Sequence, residues 1–316
     1  MKALAMDEAN VSLLPTLDET ADKGAAAATS IVTFSPVVTP RWQARLNLGF
    51  ANDAGTSRMV ERTHTGPLRV QKPLYPEGPQ VCHAIVVHPP GGVVGGDELH
   101  IAVSVGAQAS ALITTPGAAK WYRANANGYL SQQSVNLQVA AGASLEWLPQ
   151  ETIFFNRAQV SLEQTVELAP DAAYLGCEVL CFGRTASGES FDAGCITQST
   201  TIRRGGKLIW FEHGSLGGGA ASMNSVLTLA GATVCATLLA TGQALPATAI
   251  ETIRGVCGMA AGEHGQVGVT QMKQILVVRY LGHSSEAARQ VMIAAWQIIR
   301  PHMLRREAVV PRIWST

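Results

Sequence analysis

The sequence predicts a mainly-β protein, a body of stacked β-strands closed by a small C-terminal α/β part with two helices. Three observations predict it. Short runs such as Trp42, Ala44, Leu46, Leu48 and Phe50 alternate apolar with polar residues, the period of half-buried strands. A strand, small-residue turn, strand pattern recurs at Ile101 to Ala109, Val135 to Ala143 and Val166 to Ala172, with turns at Gly106, Gly142 and Asp171. Recurrence at roughly 30 residues is expected of stacked β units that bury a shared core. Helical periodicity, by contrast, is confined to Pro246 to Met259 and Ser285 to Ile299.

In chain order, Met1 to Ser35 carries scattered acids and an Ala25 to Ala28 run without a periodic apolar face, which predicts a flexible N-terminal extension over residues 1–35. Trp42 to Val60 reads as a hairpin about the turn residues Asn52-Asp53-Ala54-Gly55. A strand at Leu68 to Gln71 ends at Pro73, and Pro76-Glu77-Gly78-Pro79 makes a rigid turn. Tyr174 to Phe182 and Leu208 to His213 are strands apolar on both faces, interrupted by Glu178 and Glu212. After the Gly217-Gly218-Gly219 loop the character changes near Ala230. Thr233 to Thr241 reads as a strand, Val267 to Tyr280 as one or two more, and Pro301 should limit the last helix, whose Ala288, Val291, Met292, Ala295, Trp296 and Ile299 share a face. Residues 36–316 then form a single domain, with the β body at about 36–230 and the α/β end at about 231–316.

Composition narrows the function. A chain of 316 residues with 47% hydrophobic and 15% charged residues is globular, and its apolar surplus suggests a surface that meets a partner. Lys plus Arg and Asp plus Glu are equal at 23, so no basic face is offered to nucleic acid. No secretory signal and no apolar run of about 18 residues stands in the sequence, which predicts a cytoplasmic protein without membrane contact. Cys82, Cys177, Cys181, Cys195, Cys235 and Cys257 lack disulfide-framework spacing and are expected to be reduced. Cys177 and Cys181 have no second pair or flanking His to complete a metal site, so burial as small hydrophobes is the expectation.

The densest stretch of unusual residues is His88-Pro89-Pro90-Gly91-Gly92-Val93-Val94-Gly95-Gly96-Asp97. Two Gly pairs suggest a phosphate cradle, but a phosphate loop continues into a helix, usually through Gly-Lys-Ser/Thr. Here Asp97 follows the glycines, and Leu99, Ile101, Val103 and Val105 alternate as a strand. The stretch reads as a shaped crossover between strands. There is no H-E-x-x-H, and Ser215 in His213-Gly-Ser-Leu-Gly217 lacks the first Gly of a nucleophile elbow, so the chain does not read as an enzyme.

His88 to Asp97, Thr114-Thr115-Pro116-Gly117-Ala118-Ala119-Lys120-Trp121-Tyr122-Arg123, Gly66 to Gly78, Leu145-Glu146-Trp147-Leu148-Pro149-Gln150-Glu151, Phe182-Gly183-Arg184 and Pro311-Arg312-Ile313-Trp314 resemble, in order, the urease accessory protein family UreD, also called UreH. The resemblance covers nearly everything after about residue 40. It implies a β-helical fold with two helices and a non-enzymatic, cytoplasmic assembly factor. Such a factor docks on apo-urease and recruits UreF and the GTPase UreG. Nickel would pass through it to the urease active site; no cofactor is held tightly, Ni2+ is only in transit, and GTP belongs to UreG.

Asp97, Glu178 and Glu212 are the candidate tunnel acids. On the residues alone Asp97 reads equally as a turn residue capping loop N–H groups, and Glu178 and Glu212 as ion-paired with an Arg such as Arg184 or Arg203. The resemblance implies that acids at these positions line a water-filled tunnel that carries nickel; the family often has Asp where this chain has Glu178. Carboxylates and water suit a passing divalent ion, because thiolates and imidazoles hold nickel too tightly to release it. Cys82, His83 and His88 are second-rank metal candidates, for which a core role is the alternative. Lys120, Trp121, Tyr122 and Arg123 combine aromatic and cationic groups as interface hot spots do, and are the candidate partner contacts. Two other functions fit the same residues: a passive scaffold that opens urease without conducting metal, and a metal-dependent hydrolase on a β solenoid, which needs His and carboxylates converging on a metal.

Overall fold

The computed structural model describes residues 42–315; the predicted extension over residues 1–35 lies outside the described residues. The first strands are β1 (Gln43–Asp53), β2 (Thr56–Thr65), β3 (Arg69–Val70), β4 (Cys82–Val87), β5 (Glu98–Val105) and β6 (Ser110–Thr114). They are followed by β7 (Ala119–Trp121), β8 (Ser131–Val139), β9 (Ser144–Leu148), β10 (Thr152–Phe154), β11 (Gln159–Leu168), β12 (Ala173–Phe182), β13 (Cys195–Arg204) and β14 (Lys207–Gly217). After β14 come the short helix α1 (Ala220–Met223) and then the C-terminal part, with β15 (Val234–Thr241), α2 (Ala247–Ala261), β16 (Gln266–Met272), β17 (Ile275–Gly282) and α3 (Ser285–Leu304).

The strands divide between two sheets, and from β4 to β13 the chain passes back and forth between them. A 7-stranded sheet runs β14-β13-β11-β8-β5-β1-β2, and a 10-stranded sheet runs β16-β17-β15-β12-β9-β6-β4-β3 with β7 and β10 attached beside β12. Within each sheet the central neighbours are parallel: β1, β5, β8, β11 and β13 in one, β4, β6, β9 and β12 in the other.

The repeat seen in the sequence is this alternation. Ile101 pairs with Val135 and Val105 with Val139, so the echoes stand in register. Their turns are alike: Ala109, Ala143 and Ala172 each donate a backbone N–H to the carbonyl three residues back, each at 3.1 Å. Small residues are needed there because the turns stack, Ser144 N–H on Ala109 carbonyl and Ala173 N–H on Ala143 carbonyl.

The β1–β2 hairpin forms as its pattern requires. Ala44, Leu46, Leu48 and Phe50 are buried on the inner face, and Asn52 Oδ1 accepts the Gly55 N–H at 2.8 Å to close a turn that puts Ala54 and Gly55 at positive φ. Between the sheets, Leu46, Val103, Leu137, Val166 and Ile202 build one core. The other face of the 10-stranded sheet carries a second core against α2 and α3, including Leu175, Val179, Leu238, Ile253 and Trp296. Packing on both faces explains why Tyr174 to Phe182 reads as continuously apolar.

The α/β end contains the two expected helices, α2 and α3, and a further four-residue helix, α1, follows the glycine run at the end of the β body. One expectation needs correction. Pro301 does not limit α3, which starts on the Ser284 cap and continues to Leu304. Proline removes one helical hydrogen bond. That loss is offset by Arg300, buried and ion-paired, and by Met303 and Leu304 packed on the helical core.

Candidate functional site

Alternation along the inner faces creates the site. In β11 and β13 the inward positions include Leu162, Gln164 and Val166, then Ile196, Gln198, Thr200 and Ile202. Register puts Gln164 beside Thr200 and Thr200 beside Glu212, one polar row in the 7-stranded sheet. In the facing sheet Glu178 pairs with Thr237 and Thr237 with Arg279. All six line one cavity of about 500 Å³ between the sheets. A second cavity, of about 320 Å³, lies under the glycine crossover and is bounded by His88, Gly92, Lys120, Gln133 and Trp147. The two cavities share Gln164, Cys177 and Glu178 as wall residues. Each is large enough for several waters, and both offer polar groups to bind them.

Glu178 therefore sits where the cavities adjoin. Its Oε2 accepts a hydrogen bond from Gln198 Nε2. Burial, reinforced by the nearby Glu212 charge and only partly offset by Gln198, pushes the Glu178 carboxyl up to about 7. Gln164 Nε2 donates to the Tyr174 hydroxyl at 2.5 Å, which fixes the amide beside it. Gly176 leaves room for that hydroxyl: a Cβ there would lie 2.0 Å from Tyr174 Oη. Glu212 stands at the outer end, on the edge strand β14, where Arg279 Nη2 donates to its Oε1 at 2.6 Å. Both side chains are half-exposed. The arginine partner is thus Arg279 from the opposite sheet; Arg184 pairs with Glu189 and Arg203 with Glu167.

Asp97 is buried at the end of the crossover but outside the walls of both cavities. Its Oδ2 accepts the Val94 N–H at 3.1 Å and its own N–H donates to the Val94 carbonyl, so it ties the loop that roofs the second cavity. Burial raises its carboxyl, and the hydrogen bond from the Val94 N–H offsets part of that rise. The His88 imidazole is held below its usual range by burial, so it is neutral where it lines the cavity.

Cys82 and His83 belong elsewhere. Cys82 lies in the core between the sheets, where burial raises its thiol. His83 points the other way, with Nε2 2.5 Å from Glu77 Oε1. That carboxylate continues into Arg300, whose Nη1 is 2.6 Å from Glu77 Oε2. Burial alone would raise Glu77, but the hydrogen bonds from His83 and Arg300 hold it below its usual value. Burial also raises the thiols that line the cavities, Cys177 and Cys235, the latter to about 12, so they remain neutral. Among the described residues no group of three or more His, Cys, Asp and Glu is arranged to hold a metal.

Of the four partner-contact candidates, Lys120 and Arg123 are exposed. Trp121 is 1% exposed and belongs to the core, so it has no surface to offer a partner. Tyr122 packs edge-on to Phe155 with ring centroids 4.8 Å apart. Sequence reasoning missed Gln164, Gln198, Tyr174 and Arg279. The first two carry a signal, being polar residues at inward parity in apolar strands; Arg279 is legible only once β17 is laid beside β15.

Among the described residues no helix is long and apolar enough to cross a membrane. The family model described as UreD urease accessory protein matches residues 43–315. The chain is 63% identical to the urease accessory protein UreD of Janthinobacterium sp. (strain Marseille) over 274 residues, 87% of this chain and 92% of that protein. It is 57% identical to the protein of that name from Nitrosospira multiformis, covering 87% of this chain and 98% of the relative. Identity to the one from Dechloromonas aromatica is 44%, over 89% of this chain and 97% of the relative.

Proposed function

The chain belongs to the UreD family of urease accessory proteins, and from that premise we propose that it conducts nickel through its interior during urease maturation. Its place in maturation as an accessory protein, not an enzyme, follows from the family. In this reading it docks on apo-urease and recruits UreF and UreG, and nickel freed by UreG passes through UreF and then this chain. The strands, passing from sheet to sheet with parallel neighbours, are read as β-helical turns. β15 pairs with β12 and carries the C-terminal part on the same sheet, which supports one domain for the β body and the α/β end.

The observation that carries the proposal is Glu178 at the junction of two cavities that both carry polar groups, with Glu212 at the outer end of one and the neutral His88 in the other. Carboxylates, amides and water attract a divalent ion yet let it leave, as a conduction path requires. Asp97 acts in this reading through the loop it ties.

The test is co-expression of Glu178→Ala, Glu212→Ala and Asp97→Ala variants with urease and the other accessory proteins, with nickel per urease and complex assembly measured separately. Loss of nickel with assembly intact is expected for Glu178 and Glu212. Full nickel in both would remove conduction, and lost assembly in both would favour a passive scaffold.

A further inference from the structure

The polar rows that face each other across the larger cavity end in opposite charges. Glu212 closes the row Gln164, Thr200, Glu212, and Arg279 closes the row Glu178, Thr237, Arg279. Their ion pair spans from one sheet to the other at the half-exposed end of the cavity. One hydrogen bond, from Nη2 to Oε1, makes this contact, so it is not the two-pronged fork that locks an arginine on a carboxylate. A half-exposed, single-pronged pair is weak and screened by solvent. It suits a contact that opens easily better than one that fastens two sheets.

We infer that Arg279 is the specificity-determining residue at this mouth: a tethered guanidinium that occupies Glu212 and gives way to a divalent cation. This rests on the reading of the cavity as a cation route and names its filter. A monovalent ion offers Glu212 no more charge than the guanidinium already there, and the tether keeps the guanidinium at high local concentration. A divalent ion brings twice the charge and accepts carboxylate and water oxygens together. Once displaced, Arg279 has open solvent beside it, since half of its side chain is already exposed. The carboxylates around it are Glu212 on β14 of the opposite sheet and, deeper in the cavity, Glu178 on β12 of its own sheet, so a cation entering there passes from one carboxylate to the next.

The test is titration of nickel chloride into the purified full-length chain, followed calorimetrically. Arg279→Gln removes the competing charge and is expected to tighten binding about two- to fivefold, the range a half-exposed ion pair supplies. Adding Glu212→Gln to that variant should abolish the gain, and Arg279→Lys, which restores a cation, should return the affinity toward the unsubstituted value. Equal affinity in the unsubstituted and Arg279→Gln proteins, weaker binding in the variant, or a gain that survives loss of Glu212 overturns the inference. Nickel loading of urease with Glu178→Ala reads the route separately. If that loading is normal while the Glu212-dependent gain persists, Arg279 controls a surface cation site with no passage behind it.

Discussion

Arg300 and Glu146 form a two-pronged bond between α3 and β9: Nε donates to Oε2 and Nη2 to Oε1, each at 3.0 Å. Trp296 Nε1 adds a third donor to Oε2 at 2.7 Å, and Glu77 neutralises the remaining face of the guanidinium. The cluster is buried on all sides, with Arg300 0% and Glu146 2% exposed. Glu77 reaches it from the turn before β4, so one arginine holds the C-terminal helix to two distant parts of the sheet.

Removing one partner of a buried pair leaves the others charged and uncompensated. Arg300→Ala is therefore expected to lose about 3–5 kcal/mol in urea unfolding, and Arg300→Lys to lose a smaller part because lysine cannot make the fork. A loss below about 1 kcal/mol for the alanine variant would contradict a structural role for the cluster.

Trp121 and its neighbours should separate cleanly. Trp121→Ala empties a core position and is expected to lose about 3–5 kcal/mol of stability, whereas Lys120→Ala and Arg123→Ala should stay within about 0.5 kcal/mol. Thermal unfolding of the three variants checks the assignment. A marginal effect at Trp121 would return it to the surface.

Much of the fold was legible because it rests on local periodicity. The β1–β2 hairpin, the repeated turn of small residues and the apolar face of α3 all follow from spacing alone. What escaped depended on partners distant in sequence. Glu146 reads as one charge in a short motif, and only the approach of Arg300, from the other end of the chain, makes it a fastening point. Pro301 signals a helix end, and tertiary packing overrides it. Glu178 was conspicuous as an acid in an apolar strand, but its neighbours Gln164, Gln198 and Arg279 come from other strands. Trp121 sits between two exposed cations, and no local pattern shows that a three-residue strand turns its ring inward.

Glu178 should leave a signature in the dependence of stability on pH. Its folded carboxyl titrates at about 7, above the ordinary 4.5. Between these values the folded chain keeps a proton that the unfolded chain releases, so this group's contribution to stability falls as pH rises through that window and is constant above it. Glu178→Gln, which stays neutral, is expected to match the unsubstituted protein near pH 4 and to exceed it by at most about 3 kcal/mol at pH 8, less whatever cavity water returns to the ionised form. Denaturant unfolding at the two pH values measures it. A difference that does not change with pH would mean that Glu178 titrates alike in the folded and unfolded chain.

Conduction through the protein is tested most directly by drying the junction of the two cavities. Glu178→Leu replaces the carboxylate with a branched apolar side chain, and the nickel content of urease matured with that variant is measured alongside the amount of accessory complex formed. The account predicts a complex in normal yield and urease largely empty of nickel. Urease fully loaded with nickel by the leucine variant would contradict it.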